Sequence, residues 1–198
     1  MRKQFAQALQ LKNKYPTATG LADVMVVPLW STVTPSAGED EWELFQKLPA
    51  SAGENKSRTN IISVNEVPSK QFWDIHGMET KFVFATALTS VQLGLFHKFC
   101  FDSTLTIKVN DVHKISITLG DILGITTAFQ PADAVSTTNT QSIFGKGFDF
   151  KGNDIVMDEN TPYTVTIRNH TGGFPAELVG LDIRCIFNRE FIKLLLKS

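Results

Sequence analysis

The sequence has few cysteines and no long apolar run. Cys100 and Cys185 are its only cysteines, and their spacing is not typical of a metal-binding motif. Both lie in alternating apolar stretches, which favours buried free thiols over a disulfide. No segment approaches the ~18 apolar residues of a membrane-spanning helix, and the N-terminus lacks the apolar stretch of a signal peptide. We therefore expect a soluble chain made in a reducing compartment.

The sequence also lacks an excess of charge of either sign. Nineteen basic and 20 acidic residues give a net charge of −1, so the whole chain has no general attraction for nucleic acid or anionic membranes. Its aromatic content is uneven, with 15 phenylalanines and two tyrosines. Phenylalanine has no polar group and prefers buried contacts. We expect a large apolar surface to be buried, part of it against other subunits.

Recognisable catalytic and ligand-binding motifs are missing as well. There is no G-x-S-x-G nucleophile motif, and the histidine–acid pairs, such as Asp74 with His76, are ordinary polar positions on predicted strands. The glycines of "FGKGFDFKGND" lack the Lys-Ser/Thr pair of a phosphate loop. The segment "GNDIVMDEN" (152–160) lacks the alternate-position pattern of calcium loops, which favours a solvated turn. The sequence thus predicts a protein that is not an enzyme and holds no cofactor or metal.

What the sequence does contain is a two-residue period. In "TLTIKVNDVHKISITLGDIL" (104–123), apolar side chains occupy every second position on both sides of a polar break. This period predicts an antiparallel hairpin with one buried face. A simple two-residue turn would place Ile107 opposite Lys114, whereas a three-residue connection places it opposite Ile115. Because register follows the buried face, we predict an odd-length loop or a bulge.

Similar patterns recur from residue 59 to residue 187, without a convincing helix between strands. Seven to nine strands predict an all-β chain, an antiparallel β-sandwich with a jelly roll as the first choice and an immunoglobulin-like sandwich as the second. A loop-rich part, 120–152, is read as an external excursion or a pair of short strands, with one helical turn at "GDILG". The main strand candidates are "TNIISVNEV" (59–67), "KQFWDIHGMETKFVFA" (70–85), "SVQLGLFHKFCFD" (90–102), "TPYTVTIRNHTG" (161–172) and "ELVGLDIRCIFN" (177–188).

The texture of the sequence divides the chain into three regions. Residues 1–58 read as an extended N-terminal arm, partly irregular, with a short basic helix over 2–12. Residues 59–187 read as the β-sandwich domain. Residues 188–198 read as a short C-terminal tail, in which Asn188 is a candidate cap of a helix. The arm lacks the periodicity for a core of its own, so we expect it to become ordered on neighbouring surfaces.

The two ends carry the candidate contact residues for other subunits, for a genome or for a membrane. Four cations precede the first acidic residue, Asp23, and basic residues beside apolar ones can contact phosphate or an anionic lipid surface, or can remain a solvated terminus. The candidates are Arg2, Lys3, Phe5, Lys12, Lys14, Trp30, Trp42, Phe191 and Leu195.

Four segments together resemble the jelly-roll coat (capsid) proteins of tailless icosahedral viruses, particularly phages. They are "SKQFWDIHGMETKFVFA", "STLTIKVNDVHKISITL", "NTPYTVTIRNHTGG" and "LVGLDIRCIFNREF". The resemblance covers residues 59–190 and is architectural, so no functional residue is carried across. It implies a virion structural protein that self-assembles, with copies of itself and other virion proteins as partners. It also implies that the arm and the tail contact neighbouring subunits, the genome or an internal membrane, the last two through the basic N-terminus.

Two other classes of function remain open from the sequence. A carbohydrate- or receptor-binding sandwich, such as a spike, tail or lectin-like module, would show aromatic residues exposed together on one face or in one loop group. Of the three tryptophans, Trp30 and Trp42 fall in the predicted arm, which is a poor place for a rigid sugar platform, and Trp73 falls in a strand. An enzyme built on the same scaffold is the third alternative.

Overall fold

A computed structural model describes residues 22–49, 57–84, 88–123, 142–144, 147–150 and 153–194. In these residues two antiparallel sheets pack against each other, which confirms the predicted all-β sandwich. The strands are β1 (Ala22–Val26), β2 (Leu29–Val33), β3 (Glu41–Leu44), β4 (Gln71–Val83), β5 (Ser103–Val109), β6 (Val112–Thr118), β7 (Ser142–Phe144), β8 (Phe148–Asp149), β9 (Ile155–Met157), β10 (Tyr163–Asn169) and β11 (Asp182–Leu194).

Three short helical elements accompany the strands. They are α1 (Ser90–Asp102), α2 (Leu119–Leu123) and a 3₁₀ turn (Ala176–Leu178). Helix α2 is the helical turn predicted at "GDILG". No helix in the described part of the chain is long and apolar enough to cross a membrane.

The first sheet is built around two 13-residue strands, β4 and β11, which pair along nearly their whole length. Strands β1 and β2 follow each other along the other side of β11. Strands β7, β8 and β9 follow each other along the free side of β4. The second sheet has the order β3–β10–β5–β6. Every pairing between these strands is antiparallel.

The strand pairs are nested along the chain. The innermost pair is β5 with β6, followed outward by β4 with β7 to β9, β3 with β10, and β1 and β2 with β11. These are the pairs of one long hairpin whose tip is the β5–β6 turn. Two further pairings, β4 with β11 and β5 with β10, arise where this long hairpin folds over on itself.

The β5–β6 hairpin has the predicted register. Ile107 lies opposite Ile115, and the connection is a two-residue turn combined with a bulge beside Lys108. The turn residues Asn110 and Asp111 have φ angles of 51° and 60°. Two successive residues with positive φ angles form a hairpin turn whose twist matches that of the strands. The bulge returns the apolar side chains of β6 to the face that the apolar side chains of β5 occupy. The alternation predicts such a bulge as the alternative to an odd-length loop.

The strand predicted over residues 90–102 is wrong, because this segment is helix α1. Thr89 and Gln92 form a reciprocal capping box, in which the Thr89 side chain accepts from the Gln92 N–H and the Gln92 side chain accepts from the Thr89 N–H. The buried side chains are Phe96, Phe99 and Cys100, whose spacing of three and four is that of a helix face. The alternation at the start of the segment therefore misled the prediction.

The strand predicted over residues 59–67 is also wrong. This segment forms no continuous strand pairing with the sandwich, and its bridges, from Thr59 to Ser31 and from Glu66 to Pro162, are isolated ones. Ile62 is 65% exposed, so the apolar residues of the segment do not share one buried face. Its polar groups instead connect the two sheets at their margin: Asn60 donates to the Trp30 carbonyl, and Tyr163 donates to the Asn65 carbonyl.

The sandwich extends beyond both boundaries predicted from the sequence. Residues 22–49, assigned to the arm, contain β1, β2 and β3, which pair with β11 and β10. At the other end, β11 continues to Leu194, so Asn188 lies within a strand and the predicted helix at that position is wrong. Both segments are stabilised by pairing with distant strands, which their own sequences do not reveal. The basic helix predicted over 2–12 lies outside the described residues.

The core between the sheets is strongly aromatic. Phe45, which follows β3, stacks on Phe187 of β11 with ring centroids 4.8 Å apart and an interplanar angle of 12°. It also meets Tyr163 of β10 edge-on. The cysteines Cys100 and Cys185 are buried free thiols, as predicted, and burial raises the pKa of the Cys185 thiol to about 12. Many of the phenylalanines thus pack in the core between the two sheets.

Candidate functional site

The candidate contact residues of the two ends have different positions in the fold. Phe191 lies in β11, opposite Met25 of β1 and Trp73 of β4. Trp30 is half-buried in β2, where its backbone N–H donates to the side-chain oxygen of Asn60 at 2.7 Å. The other candidates, Arg2, Lys3, Phe5, Lys12, Lys14 and Leu195, lie outside the described residues.

Trp42 is a core residue, which corrects its prediction as a surface contact. It is 4% exposed, and its ring meets the rings of Phe99 and Phe174 edge-on, each at 5.9 Å between centroids. Its indole N–H donates to Glu39 at 2.9 Å. The backbone N–H of Ser36 and this indole N–H together lower the pKa of the Glu39 carboxyl. Trp42 therefore anchors β3 from inside the sandwich.

One open margin of the sandwich carries an apolar groove between the two sheets. On one side is β6, which pairs only with β5 among the described strands. Half-buried Ile115 and Ile117 of β6 face the groove, and Phe148 and Phe150 approach from the other sheet. The groove measures about 510 Å³ and is lined by Lys114, Ile115, Ser116, Ile117, Phe148, Phe150 and Asn153.

A second feature is a cluster of two carboxylates and one imidazole on the outer face of the first sheet. Asp74 and His76 are alternate residues of β4 and therefore project from the same face. Strand β9 pairs with β4 so that Ile155 lies opposite Ile75, which brings Asp154, one residue before β9, next to His76. Strand pairing thus collects three side chains from two segments that are nearly 80 residues apart.

The three side chains offer one donor atom each within 4.8 Å of one another. The His76 Nδ1 lies 3.4 Å from Oδ1 of Asp154 and 3.9 Å from Oδ1 of Asp74. Asp74 is almost completely buried, with 4% of its side chain exposed, whereas 12% of Asp154 and 40% of His76 are exposed. The cluster therefore has a buried base and an opening to solvent on the imidazole side.

The backbone around His76 is held in place from the neighbouring segment. The His76 carbonyl accepts a hydrogen bond from the Phe150 N–H at 2.9 Å, and the Phe150 carbonyl accepts one from the Asn153 N–H at 3.0 Å. Asp154 follows directly. These two bonds fix the distance between β4 and the segment that supplies Asp154, so the cluster rests on a hydrogen-bonded frame.

A shallow groove of about 420 Å³ begins at His76 and continues along β4. It has acidic side chains in its lining, Glu79 and Asp149, and Asn188 donates to Glu79 at 3.1 Å. The lining residues are His76, Gly77, Glu79, Gly147, Phe148, Asp149 and Asn188. The opening of the cluster is thus accessible to a small cation or a polar ligand.

The remaining acidic residues of the segment 152–160 point to other tasks. Asp158 accepts from the Glu159 N–H at 2.8 Å, and Glu159 accepts from the Lys70 N–H at 2.8 Å. Both lie at the far end of β9 from Asp154. The carboxylates of this segment therefore stabilise turns at two separate points and do not surround one calcium-sized centre.

The alternation of the sequence predicts that Asp74 and His76 share one face of a strand, but it gives no indication that Asp154 joins them. The alternation of β4 shows that the first two side chains share a face, whereas the contribution of Asp154 depends on the pairing of β9 with β4. A three-residue strand in a glycine-rich region carries too short a pattern to predict its partner. Only the tertiary pairing identifies the cluster.

Comparison of the chain with known protein families and with curated proteins finds no match.

Proposed function

We propose that the chain is a non-enzymatic virion structural protein that self-assembles through a jelly-roll domain. The observation that carries this proposal is the nested strand order. If β1 and β2 are counted as one interrupted strand, and β7 to β9 as another, eight strands lie in the orders 1-8-3-6 and 2-7-4-5. A long hairpin folded over into two antiparallel sheets is the jelly-roll arrangement, which viral capsid proteins share with lectin domains and cupins.

The fold alone does not distinguish a capsid protein from a lectin domain or a cupin. The proposal therefore also rests on the surface of the sandwich. Strand β6 is an edge within the described part of the sandwich, and Val112 at its start is 55% exposed. An extended segment of another chain can lie in the apolar groove beside β6 and add a strand to the sheet. We therefore propose the β6 margin as a contact between copies of the chain.

The tryptophans favour assembly over sugar binding. A lectin-like site needs aromatic rings exposed side by side, but Trp42 and Trp73 are 4% and 1% exposed, inside the core. Trp30, which is half-buried in β2, has no second tryptophan to form a platform with. This leaves the packing of copies as the function that the described surface supports best.

The proposal includes partners beyond copies of the chain. Other virion proteins are expected neighbours, and the basic residues Arg2, Lys3, Lys12 and Lys14 are the candidates for contact with the genome or an internal membrane. A contact with phosphate predicts binding that weakens steeply as salt concentration rises.

The test is the particle mass of the purified full-length chain, measured by light scattering and native mass spectrometry over a range of concentrations. We expect a discrete oligomer or a shell. The substitution Val112→Asp puts a charge on the β6 edge and should lower the mass, whereas Val91→Asp, at a 73% exposed position on α1, should not. A monomer at every concentration would overturn the proposal, and assembly that only Val91→Asp disrupts would overturn the assignment of the contact.

A further inference from the structure

We propose that Asp74, His76 and Asp154 form a binding site for a divalent transition-metal ion, with Zn²⁺ as its representative. This inference is independent of the proposed virion role, because it rests only on the cluster on the outer face of the first sheet. One imidazole nitrogen and two carboxylate oxygens converge there. This is a donor set that zinc accepts in proteins.

The separations of the donor atoms fit a metal better than they fit hydrogen bonds between the side chains. Zinc binds nitrogen and carboxylate oxygen at about 2.1 Å, so tetrahedral ligands lie about 3.4 Å from one another. The His76 Nδ1 lies 3.4 Å from the Asp154 oxygen and 3.9 Å from the Asp74 oxygen. The second distance is too long for a hydrogen bond. Small side-chain movements would bring all three atoms to coordination distance.

The charge and burial of the cluster point to the same ligand. Asp74 is almost completely buried and lies beside a second carboxylate, Asp154, across the cluster. Two carboxylates gathered in a site partly removed from water attract a dication, and the imidazole supplies its third protein ligand. The imidazole separates the site from calcium, because Ca²⁺ takes oxygen ligands.

The open side of the cluster determines where a fourth ligand can bind. Asp74 lies at the base, and the exposed side of His76 opens towards the shallow groove along β4. Three protein ligands with one open side leave room for water as the fourth ligand. The frame is preorganised, because β4 carries two ligands and the hydrogen bonds from Phe150 and Asn153 hold the third nearby.

The experiment is a titration of the chelator-treated full-length chain with Zn²⁺, followed by calorimetry and by the thermal unfolding midpoint. We expect one saturable site per chain and a rise in Tm with added Zn²⁺. His76→Ala and Asp154→Asn should each weaken binding at least tenfold and remove the Tm shift. These two positions are preferred over Asp74, because Asp74 is buried and its replacement would also disturb the fold.

Two matched substitutions serve as controls. His113→Ala removes an exposed histidine from β6, and Asp158→Asn removes an exposed carboxylate from the far end of β9. Both should bind Zn²⁺ like the unmodified chain. The proposal fails if no saturable site exists, if the cluster variants bind as tightly as the controls, or if Ca²⁺ binds more tightly than Zn²⁺.

Discussion

Gly77 shows how a single residue controls the meeting of two strands. It lies in β4 opposite Asn188 of β11, next to a bulge in which His76 is the extra residue of β4, and it pairs with Asp149 of β8 on its other side. A Cβ atom at this position would lie 2.6 Å from the Phe148 carbonyl oxygen. This contact is with backbone, which cannot rotate away. The absence of a side chain therefore allows β8 to approach β4 next to the cluster.

Replacing Gly77 by alanine should destabilise the protein by about 1–3 kcal/mol, because the added methyl group forces β8 away from β4. Gly94→Ala is the matched control. Gly94 is exposed on α1, nothing lies within 4 Å of the added Cβ, and alanine is the better helix former, so a gain of about 0.5–1 kcal/mol is expected there. Urea unfolding measures both changes. Equal effects of the two substitutions would contradict the role assigned to Gly77.

At the scale of elements, the β5–β6 hairpin and helix α1 show when a sequence pattern is sufficient. The hairpin was predicted down to its register, because the alternation continues over two full strands and the parity of its turn allows only few solutions. Helix α1 was missed because Val91, Leu93 and Leu95 alternate like a strand. The capping residues Thr89 and Gln92 were the better indication, since they define a helix start.

The turn of this hairpin is a site where stability can be gained. Asp111 has a φ of 60°, a conformation that glycine adopts without strain, and Asn-Gly is the preferred pair for such turns. We expect Asp111→Gly to raise the free energy of unfolding by up to about 1 kcal/mol and Asp111→Val to lower it. Denaturant unfolding of both variants checks this order. If the valine variant were the more stable one, the turn would have a different geometry.

At the scale of the whole molecule, three ionisable groups are kept uncharged in the core. Burial raises the pKa of Cys185 to about 12, and it also raises the pKa values of Cys100 and Tyr163. The positive charge of nearby Arg189 reduces the effect on Tyr163 only in part. Burial lowers the pKa of Arg189 itself to about 10. This shift by itself makes stability rise with pH, whereas the raised pKa values of the three acids make it fall. The three acids outnumber this single base.

Stability should therefore fall as the pH rises from about 9 towards 12. In this window the thiols and the phenol lose their protons in the unfolded state but retain them in the folded state. The unfolded state therefore binds fewer protons, and alkaline pH favours it. Cys185 alone should contribute a loss of about 1 kcal/mol between pH 9 and pH 10. Urea unfolding at successive pH values measures the slope, and Cys185→Ala should make it shallower. A stability that rises over this range would refute the assignment.

The amino-acid sequence by itself determined the local conformations that a two-residue period specifies, including β4, β10 and the β5–β6 hairpin, and the burial of the cysteines. The tertiary structure decided which distant segments pair. Strands β1 and β2 pair with β11 from the other end of the chain, and Asp154 joins Asp74 and His76 because β9 lies beside β4. The physical reason is that alternation shows which face of a strand is buried, whereas the choice of its partner depends on the packing of the whole chain.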